Sequence, residues 1–189
     1  MRLSNGTVRK YRRSFNEIGH AHELTFSCYG GQPMLNRDRT RQWMVEAIDA
    51  ARRRHHFEVW AYVIMPEHAH ALILPGGHYE MSTILKTIKQ SVARKALAFL
   101  RKHEPAWMEK LRARADVGGA IYHFWQPGGG YDRNITKAAT AWASVEYLHR
   151  NPVRRGLAAC ETDWKWSSAR WYAGLDGVVL PMDDRPPDS

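Results

Sequence analysis

The amino-acid sequence predicts an α+β fold, namely a ferredoxin-like antiparallel sheet of order βαββαβ with helices on one face and an additional C-terminal helix. Segments with the two-residue apolar period of a half-buried strand alternate with segments that have the helical period of about 3.6 residues. The length of 189 residues and the hydrophobic content of 44% suffice for one domain with a substantial core. This arrangement leaves the second face of the sheet open for binding.

The local pattern of each element supports this order. The predicted strands alternate apolar and polar residues or are rich in β-branched and aromatic residues, and the predicted helices are amphipathic. Pro66 separates the second strand from the third and indicates a tight turn. The last helix is expected to stop before Pro152, because a residue that precedes proline avoids the α region. In chain order, the predicted elements are a strand at 24–28, a helix at 37–54, strands at 57–65 and 68–74, a helix at 81–101, a strand at 121–125 and a helix from Thr136.

The remaining segments are predicted to be irregular. Residues 1–20 are polar and basic and are interpreted as an N-terminal arm, residues 21–182 as a single domain, and residues 183–189 as a disordered tail. Residues 103–119 carry a proline, charges and a glycine pair, which indicates an excursion on the surface. The three glycines at 128–130 predict a flexible loop before the last helix.

The charge of the chain favours a polyanionic partner. Lys and Arg number 28 against 19 acidic residues, which gives a net charge of +9 and a pI of about 9.8. Nucleic acid is the first candidate and an anionic membrane surface the second, but no apolar run approaches the roughly 20 residues of a spanning helix. The N-terminus has no apolar stretch like that of a secretory signal, so we expect a cytoplasmic, nucleoid-associated protein. The two cysteines have no CxxC spacing and are expected to be reduced, inert packing residues.

Several short basic segments are candidates for binding DNA phosphates. Each one alone is more often a solvated face, but together they match an electrostatic footprint for a nucleic acid. The aromatic segment 164–172 could stack unpaired bases or simply pack onto the sheet. The candidate DNA-binding residues are Arg9, Lys10, Arg12, Arg13, Lys86, Lys89, Arg94, Lys95, Arg154 and Arg155.

Two residue pairs have a spacing that could support chemistry. His68 and His70 are two apart in a predicted strand, so both side chains point to the same face and could share one metal ion. On spacing alone, surface or satisfied core histidines are the more common explanation for such a pair. Tyr147 and Asn151 are four apart in the last helix and lie on one face of it, but this spacing alone favours a packing tyrosine over a nucleophile.

Four sequence blocks closely resemble the REP-associated tyrosine transposases, within the single-tyrosine HUH transposase (IS200-like) superfamily. In order, they are YVIMPEHAHALI, FWQPGGGYDRNI, VEYLHRNPVRRGL and DWKWSSARWY, and they span the chain from about residue 60 to 172. The resemblance implies that His68 and His70 bind a divalent cation, Mg²⁺ or Mn²⁺. It also implies that Tyr147 is the nucleophile on a catalytic helix and that Asn151 is the third metal ligand. The triple glycine and an insertion at about 107–119 depart from the family pattern.

The function implied by this resemblance is metal-dependent cleavage and strand transfer of single-stranded DNA, beside hairpin repeat sequences, through a 5′-phosphotyrosine intermediate. The enzyme would act as a monomer or a homodimer. Histidine-triad hydrolases also place alternating histidines on a strand, but they need a third one where this chain has Leu72. A non-catalytic module that binds single-stranded nucleic acid on the same fold remains an alternative.

Overall fold

The computed structural model describes residues 15–113 and 121–188, which form a four-stranded antiparallel sheet, a two-stranded sheet and five α-helices. None of the helices in these ranges has the length and apolarity of a membrane span. The strands are β1 (Ala21–Ser27), β2 (Phe57–Ile64), β3 (His68–Pro75), β4 (Arg112–Ala113), β5 (Ile121–Tyr122) and β6 (Tyr131–Ile135). The helices are α1 (Asp38–His55), α2 (Met81–His103), α3 (Pro105–Lys110), α4 (Ala138–Arg154) and α5 (Ala169–Tyr172).

The main sheet has the strand order β2-β3-β1-β6, with antiparallel neighbours throughout, and this confirms the predicted α+β, ferredoxin-like architecture. The position predicted for the fourth strand is wrong. Ile121–Tyr122 pairs with β4 in the two-stranded sheet, and Trp125 makes only an isolated bridge to Cys28. The fourth strand is β6, whose sequence YDRNI lacks apolar alternation because it is an edge strand that pairs with β1 alone.

Helices cover both faces of the main sheet. On one face, apolar side chains of α1 and α2 pack against alternate residues of β1 and β3, including Leu24, Phe26 and Ile73. On the other face, Val145 and Leu148 of α4 belong to a second apolar cluster that is formed with the sheet. The face that was expected to be open is therefore partly covered, and a cleft remains beside α4.

Helix α4 does not stop before Pro152, which lies inside its last turn. Proline removes one backbone donor and crowds the carbonyl four residues earlier, but here the helix ends only two residues later, so little of it lies beyond the disruption. Hydrogen bonding resumes at once, since the Arg155 amide donates to the Asn151 carbonyl at 3.1 Å. The last turn therefore extends past Asn151 and keeps that side chain in a helical position.

Two segments that were expected to be irregular make defined contacts. Within 103–119, residues 105–110 form α3, and Met108 and Leu111 are buried. In the expected tail, the Asp183 carboxylate accepts hydrogen bonds from the Val59 amide and from Arg52, both at 2.9 Å. Residues 1–14, which include the basic part of the predicted arm, and residues 114–120 lie outside the described residues.

Candidate active site

The sheet face beneath α4 carries two rows of polar side chains. The cross-strand register places Thr25 of β1 between His70 of β3 and Tyr131 of β6. One pleat further along, Glu23 lies between Leu72 and Arg133. Because side chains alternate between the faces of a strand, these residues point away from Leu24 and Phe26, which belong to the core beneath α1 and α2.

The two histidines of β3 are oriented by hydrogen bonds to one nitrogen each. Their ring centroids are 4.7 Å apart. The Nδ1 atom of His70 lies 2.7 Å from Thr25 Oγ1, and that of His68 lies 3.1 Å from a carboxylate oxygen of Glu67. No hydrogen bond within the described residues occupies either Nε2 atom, and an imidazole held through Nδ1 with Nε2 available is how metal-binding histidines are commonly oriented.

Burial favours the neutral form of both imidazoles. It lowers the pKa of His70 to about 3, with a smaller contribution from the neighbouring His68. Burial also lowers the pKa of His68, although the Glu67 carboxylate opposes that shift. Neutral imidazole is the form that donates a lone pair to a cation, so the pair fits a divalent metal ion at neutral pH.

Tyr147 of α4 lies against the histidine pair. Its ring centroid is 5.8 Å from that of His70, and 42% of the residue surface is exposed. The guanidinium of Arg154 lies over the tyrosine ring, 5.6 Å from its centroid. The phenol is therefore accessible to a substrate and has a fixed positive charge nearby.

Asn151 is buried one turn further along α4, and its amide nitrogen donates to the Tyr147 carbonyl at 2.9 Å. That bond leaves the amide oxygen as the atom that could ligate a cation. The described residues contain no group of three or more His, Cys, Asp or Glu side chains that could hold a metal. A site with the predicted ligands would consist of two imidazoles and one amide oxygen, with water or phosphate oxygens completing the coordination shell.

A cleft of about 580 Å³ runs between the sheet and α4. It contains an ionic group that the sequence reasoning missed. Glu23 accepts a hydrogen bond from Ser144 Oγ at 2.9 Å, and one of its oxygens lies 3.5 Å from the Arg133 guanidinium. The alternation in β1 predicts that Glu23 points away from the core. Its partners are more than 100 residues away in the sequence, so the pairing could not be predicted. The cleft is lined by Glu23, Thr25, His70, Tyr131, Arg133, Thr140, Ala143, Ser144 and Tyr147.

The basic residues that were predicted on α2 have different environments. Lys89 donates to the Gly128 carbonyl at 2.7 Å and to the Gln126 carbonyl at 3.4 Å, so it holds the triple-glycine loop. Lys95 forms an ion pair with Glu46 at 2.7 Å. Lys86 and Arg94 line a depression of about 250 Å³, which they share with Arg54 and the polar residues Thr83, Thr87 and Gln90.

The predicted basic residues of α4 and its C-terminus lie near the candidate site. Arg155 pairs with Glu67 at 2.8 Å, and the same carboxylate contacts His68. Arg155 therefore helps to hold the carboxylate that orients His68. In the aromatic segment, Trp164 and Trp166 donate their indole N–H groups to Ile64 and Asp38, which favours packing over base stacking. Arg9, Lys10, Arg12 and Arg13 lie outside the described residues.

Comparisons with known proteins agree with this architecture. The sequence matches the family described as "Transposase IS200 like" over residues 8–151. The REP-associated tyrosine transposase of Escherichia coli (strain K12) is 23% identical over 143 residues, which make up 75% of this chain and 71% of that protein. The solved structure of a REP-associated tyrosine transposase bound to a REP hairpin has a TM-score of 0.67 and 22% identity, and the alignment covers 96% of this chain and 98% of that chain. At this identity the structural likeness shows the fold.

Proposed function

Because this chain belongs to the IS200-like transposase family, we propose that it is a metal-dependent enzyme that cleaves single-stranded DNA beside a hairpin and transfers the strand. The observation that carries the proposal is the exposed Tyr147 phenol, which lies against the His70 ring in the cleft. A phenol that could act as a nucleophile and an imidazole pair that could hold a cation, on the same side of the sheet, would supply the two components of metal-assisted phosphodiester cleavage by a covalent intermediate.

In the proposed reaction, the phenol oxygen of Tyr147 attacks the scissile phosphorus and gives up its proton to solvent. A bond forms between this oxygen and phosphorus, and the bond between phosphorus and the 3′ oxygen breaks. The departing 3′ oxygen takes up a proton, which leaves a 5′-phosphotyrosine and a free 3′-hydroxyl. Attack by another 3′-hydroxyl reverses the step and joins that end, because the phosphodiester energy is retained in the tyrosine bond.

His68, His70 and Asn151 would hold a Mg²⁺ or Mn²⁺ ion. When bound, the cation would polarise the scissile phosphate and neutralise charge that develops in the transition state. The protein contributes the orientation: Thr25 and Glu67 fix the two imidazole rings, and a hydrogen bond directs the Asn151 amide nitrogen toward its own helix.

We propose hairpin DNA with an unpaired flank as the substrate. A REP-associated relative was solved with a REP hairpin bound, and the net charge of +9 suits a polyanion. Lys86 and Arg94, in their shared depression with Arg54, are candidates for phosphate contacts. The arm residues remain candidates from the sequence alone. Such an enzyme would act in the cytoplasm, at the nucleoid.

The test of this proposal separates the two phenols of the cleft. The full chain is incubated with Mn²⁺ and 5′- or 3′-labelled hairpin oligonucleotides that carry single-stranded flanks from the sequence beside its own gene. We expect a covalent protein–DNA adduct with the wild type and with Tyr131→Phe, and none with Tyr147→Phe. Because 42% of the Tyr147 surface is exposed and phenylalanine keeps the ring, loss of the hydroxyl should change the stability by less than about 1 kcal/mol.

Two alternatives predict other outcomes. A non-catalytic module on this fold would bind the hairpin and give no adduct with any variant. A histidine-triad hydrolase would be indifferent to Tyr147→Phe, but the third imidazole of that class would have to replace Leu72, which is buried in the cluster beneath α4. An adduct that persists in Tyr147→Phe would assign the nucleophile to another group.

A further inference from the structure

The cleft contains a positive charge for which neither the metal pair nor the nucleophile accounts. Among the described residues that line it, Arg133 is the one with a fixed positive charge. It lies on β6, directly opposite Glu23 of β1 in the sheet register. Its side chain is 46% exposed, whereas that of Glu23 is 9% exposed. A side chain that is nearly half exposed on the lining of the cleft can present guanidinium donors to a ligand there.

The contact between Arg133 and Glu23 leaves the guanidinium available for a further anion. Their closest approach is 3.5 Å, which is longer than the roughly 2.7–2.9 Å of a strong charge-assisted hydrogen bond. A guanidinium has five N–H donors, and one such contact occupies few of them. An approaching phosphodiester would also be repelled by the Glu23 carboxylate if Arg133 did not offset its charge.

Glu23 connects this arginine to the helix of the nucleophile. The hydrogen bond from Ser144 to Glu23 comes from α4, three residues before Tyr147 and thus from the same side of the helix. A network therefore runs from Arg133 through a buried carboxylate to α4. A substrate anion on Arg133 would be positioned relative to the phenol by contacts that are already formed.

We propose that Arg133 binds a backbone phosphate of the single strand in the cleft, next to the scissile phosphate, and that Glu23 is its positioning residue. This inference rests on the proposed function, since it concerns the same cleft. Arg133 and His70 lie on strands that are separated by β1, which puts those strands about 10 Å apart. Arg133 is also offset from the row of His70 by two residues, or about 7 Å along the strand, so its long side chain suits a phosphate adjacent to the one beside the histidines rather than the same phosphate. Guanidinium groups bind phosphate oxygens through paired N–H donors, which gives this contact a geometry as well as a charge.

The experiment measures binding without cleavage. In the Tyr147→Phe background, the affinity is determined for hairpin oligonucleotides in which each flank phosphate in turn is replaced by a neutral methylphosphonate. Arg133→Gln should weaken binding of the unmodified oligonucleotide by about tenfold or more. At one methylphosphonate position, the Arg133→Gln protein and its parent should bind with equal affinity, because the contact has already been removed from the DNA side.

Matched variants separate this contact from a general charge effect. Arg150→Gln removes the same charge from an exposed position of α4 that does not line the cleft, and it should keep the parental methylphosphonate profile. Arg133→Lys keeps the charge without the paired donors and should recover part of the affinity. Glu23→Gln should weaken binding through the same flank phosphate as Arg133→Gln does. Thermal unfolding measures the effect of this substitution on the fold.

The inference is overturned if Arg133→Gln keeps the parental profile at every phosphate, or if it weakens binding no more than Arg150→Gln does. Its failure is distinguishable from failure of the proposed function. The adduct assay tests Tyr147 through covalent chemistry, whereas the methylphosphonate profile is obtained with a protein that lacks the phenol oxygen. A wild type that forms no adduct would refute the nucleophile and leave the phosphate contact to be judged on its own result.

Discussion

The three consecutive glycines before β6 should differ sharply in their tolerance of alanine. Gly130 has a φ of +80°, and a Cβ atom there would meet the Thr25 carbonyl oxygen well inside van der Waals contact. Gly128 has a φ of +99° but open space around it, and Gly129 has open space without a positive φ. The series therefore separates backbone strain from a steric clash within a single loop.

The magnitudes follow from these two costs. A side chain at positive φ costs about 1–2 kcal/mol, which is the expected loss for Gly128→Ala. Forcing atoms into a packed position adds about 1–3 kcal/mol, so Gly130→Ala should lose about 3 kcal/mol. For a domain of this size, that corresponds to a Tm lower by roughly 10 °C. Gly129→Ala should be neutral or gain about 0.4–1 kcal/mol, because alanine restricts the unfolded chain.

The assay is thermal and urea unfolding of the four proteins, followed by the adduct reaction with a hairpin oligonucleotide. Gly130→Ala should also reduce the adduct yield, because the strand that it displaces carries the Thr25 hydroxyl that orients His70. Gly129→Ala serves as the control for an added methyl group. Equal Tm values for Gly130→Ala and Gly129→Ala would refute the reasoning, because the clash and the positive φ would then have no consequence.

The remaining predictions concern the metal and the DNA. His70→Ala should abolish adduct formation and the calorimetric signal of Mn²⁺ binding, while hairpin affinity survives. Asn151→Ala should have a milder effect on both, because water can replace a neutral ligand. An unchanged Mn²⁺ affinity in His70→Ala would refute the metal assignment. Lys86→Ala should reduce the slope of log affinity against log salt concentration for hairpin binding by about 0.7–0.9. Lys89→Ala should instead lower the Tm, since its amine holds the glycine loop. A lower Tm for Lys86→Ala and a smaller salt slope for Lys89→Ala would contradict these assignments. Deletion of residues 1–13 should weaken hairpin binding and flatten its salt slope, and an unaltered slope would exclude the arm from the interface.

The elements with strong periodicity could be predicted from the sequence, and the weakly patterned ones could not. Helix α1 and strands β2 and β3 carry long apolar faces, so their positions follow from local pattern. Strand β6 has only Ile135 as a buried apolar residue. Its place in the sheet depends on pairing with β1, more than 100 residues earlier, and no local pattern encodes that partner. The aromatic run at 121–125 fitted a strand better by composition, but it packs beside the sheet.

Some residues of the candidate site could be predicted from the sequence, and others could not. The spacing of His68 and His70 places both on one face, and the structure brings their rings together. Tyr147 was selected by family resemblance, because helical spacing alone favours a packing residue. The structure places it beside His70. Glu23 and Arg133 were missed, since their meaning depends on cross-strand register and on the packing of α4.

Positive charge shows why a list of basic residues does not define a binding surface. A run such as that on α2 has the pattern of a phosphate-binding face, yet Lys95 is paired with Glu46, and Lys89 donates to backbone carbonyls. A cation whose donors are used within the protein must give up those contacts before it can bind a phosphate, and the lost contacts offset the gain. Arg133 belongs to no basic run, but it is half-exposed in the cleft that contains Tyr147. Among the described residues its guanidinium has one ionic contact, the 3.5 Å approach to Glu23, so it is a stronger candidate for a phosphate contact than Lys95 is.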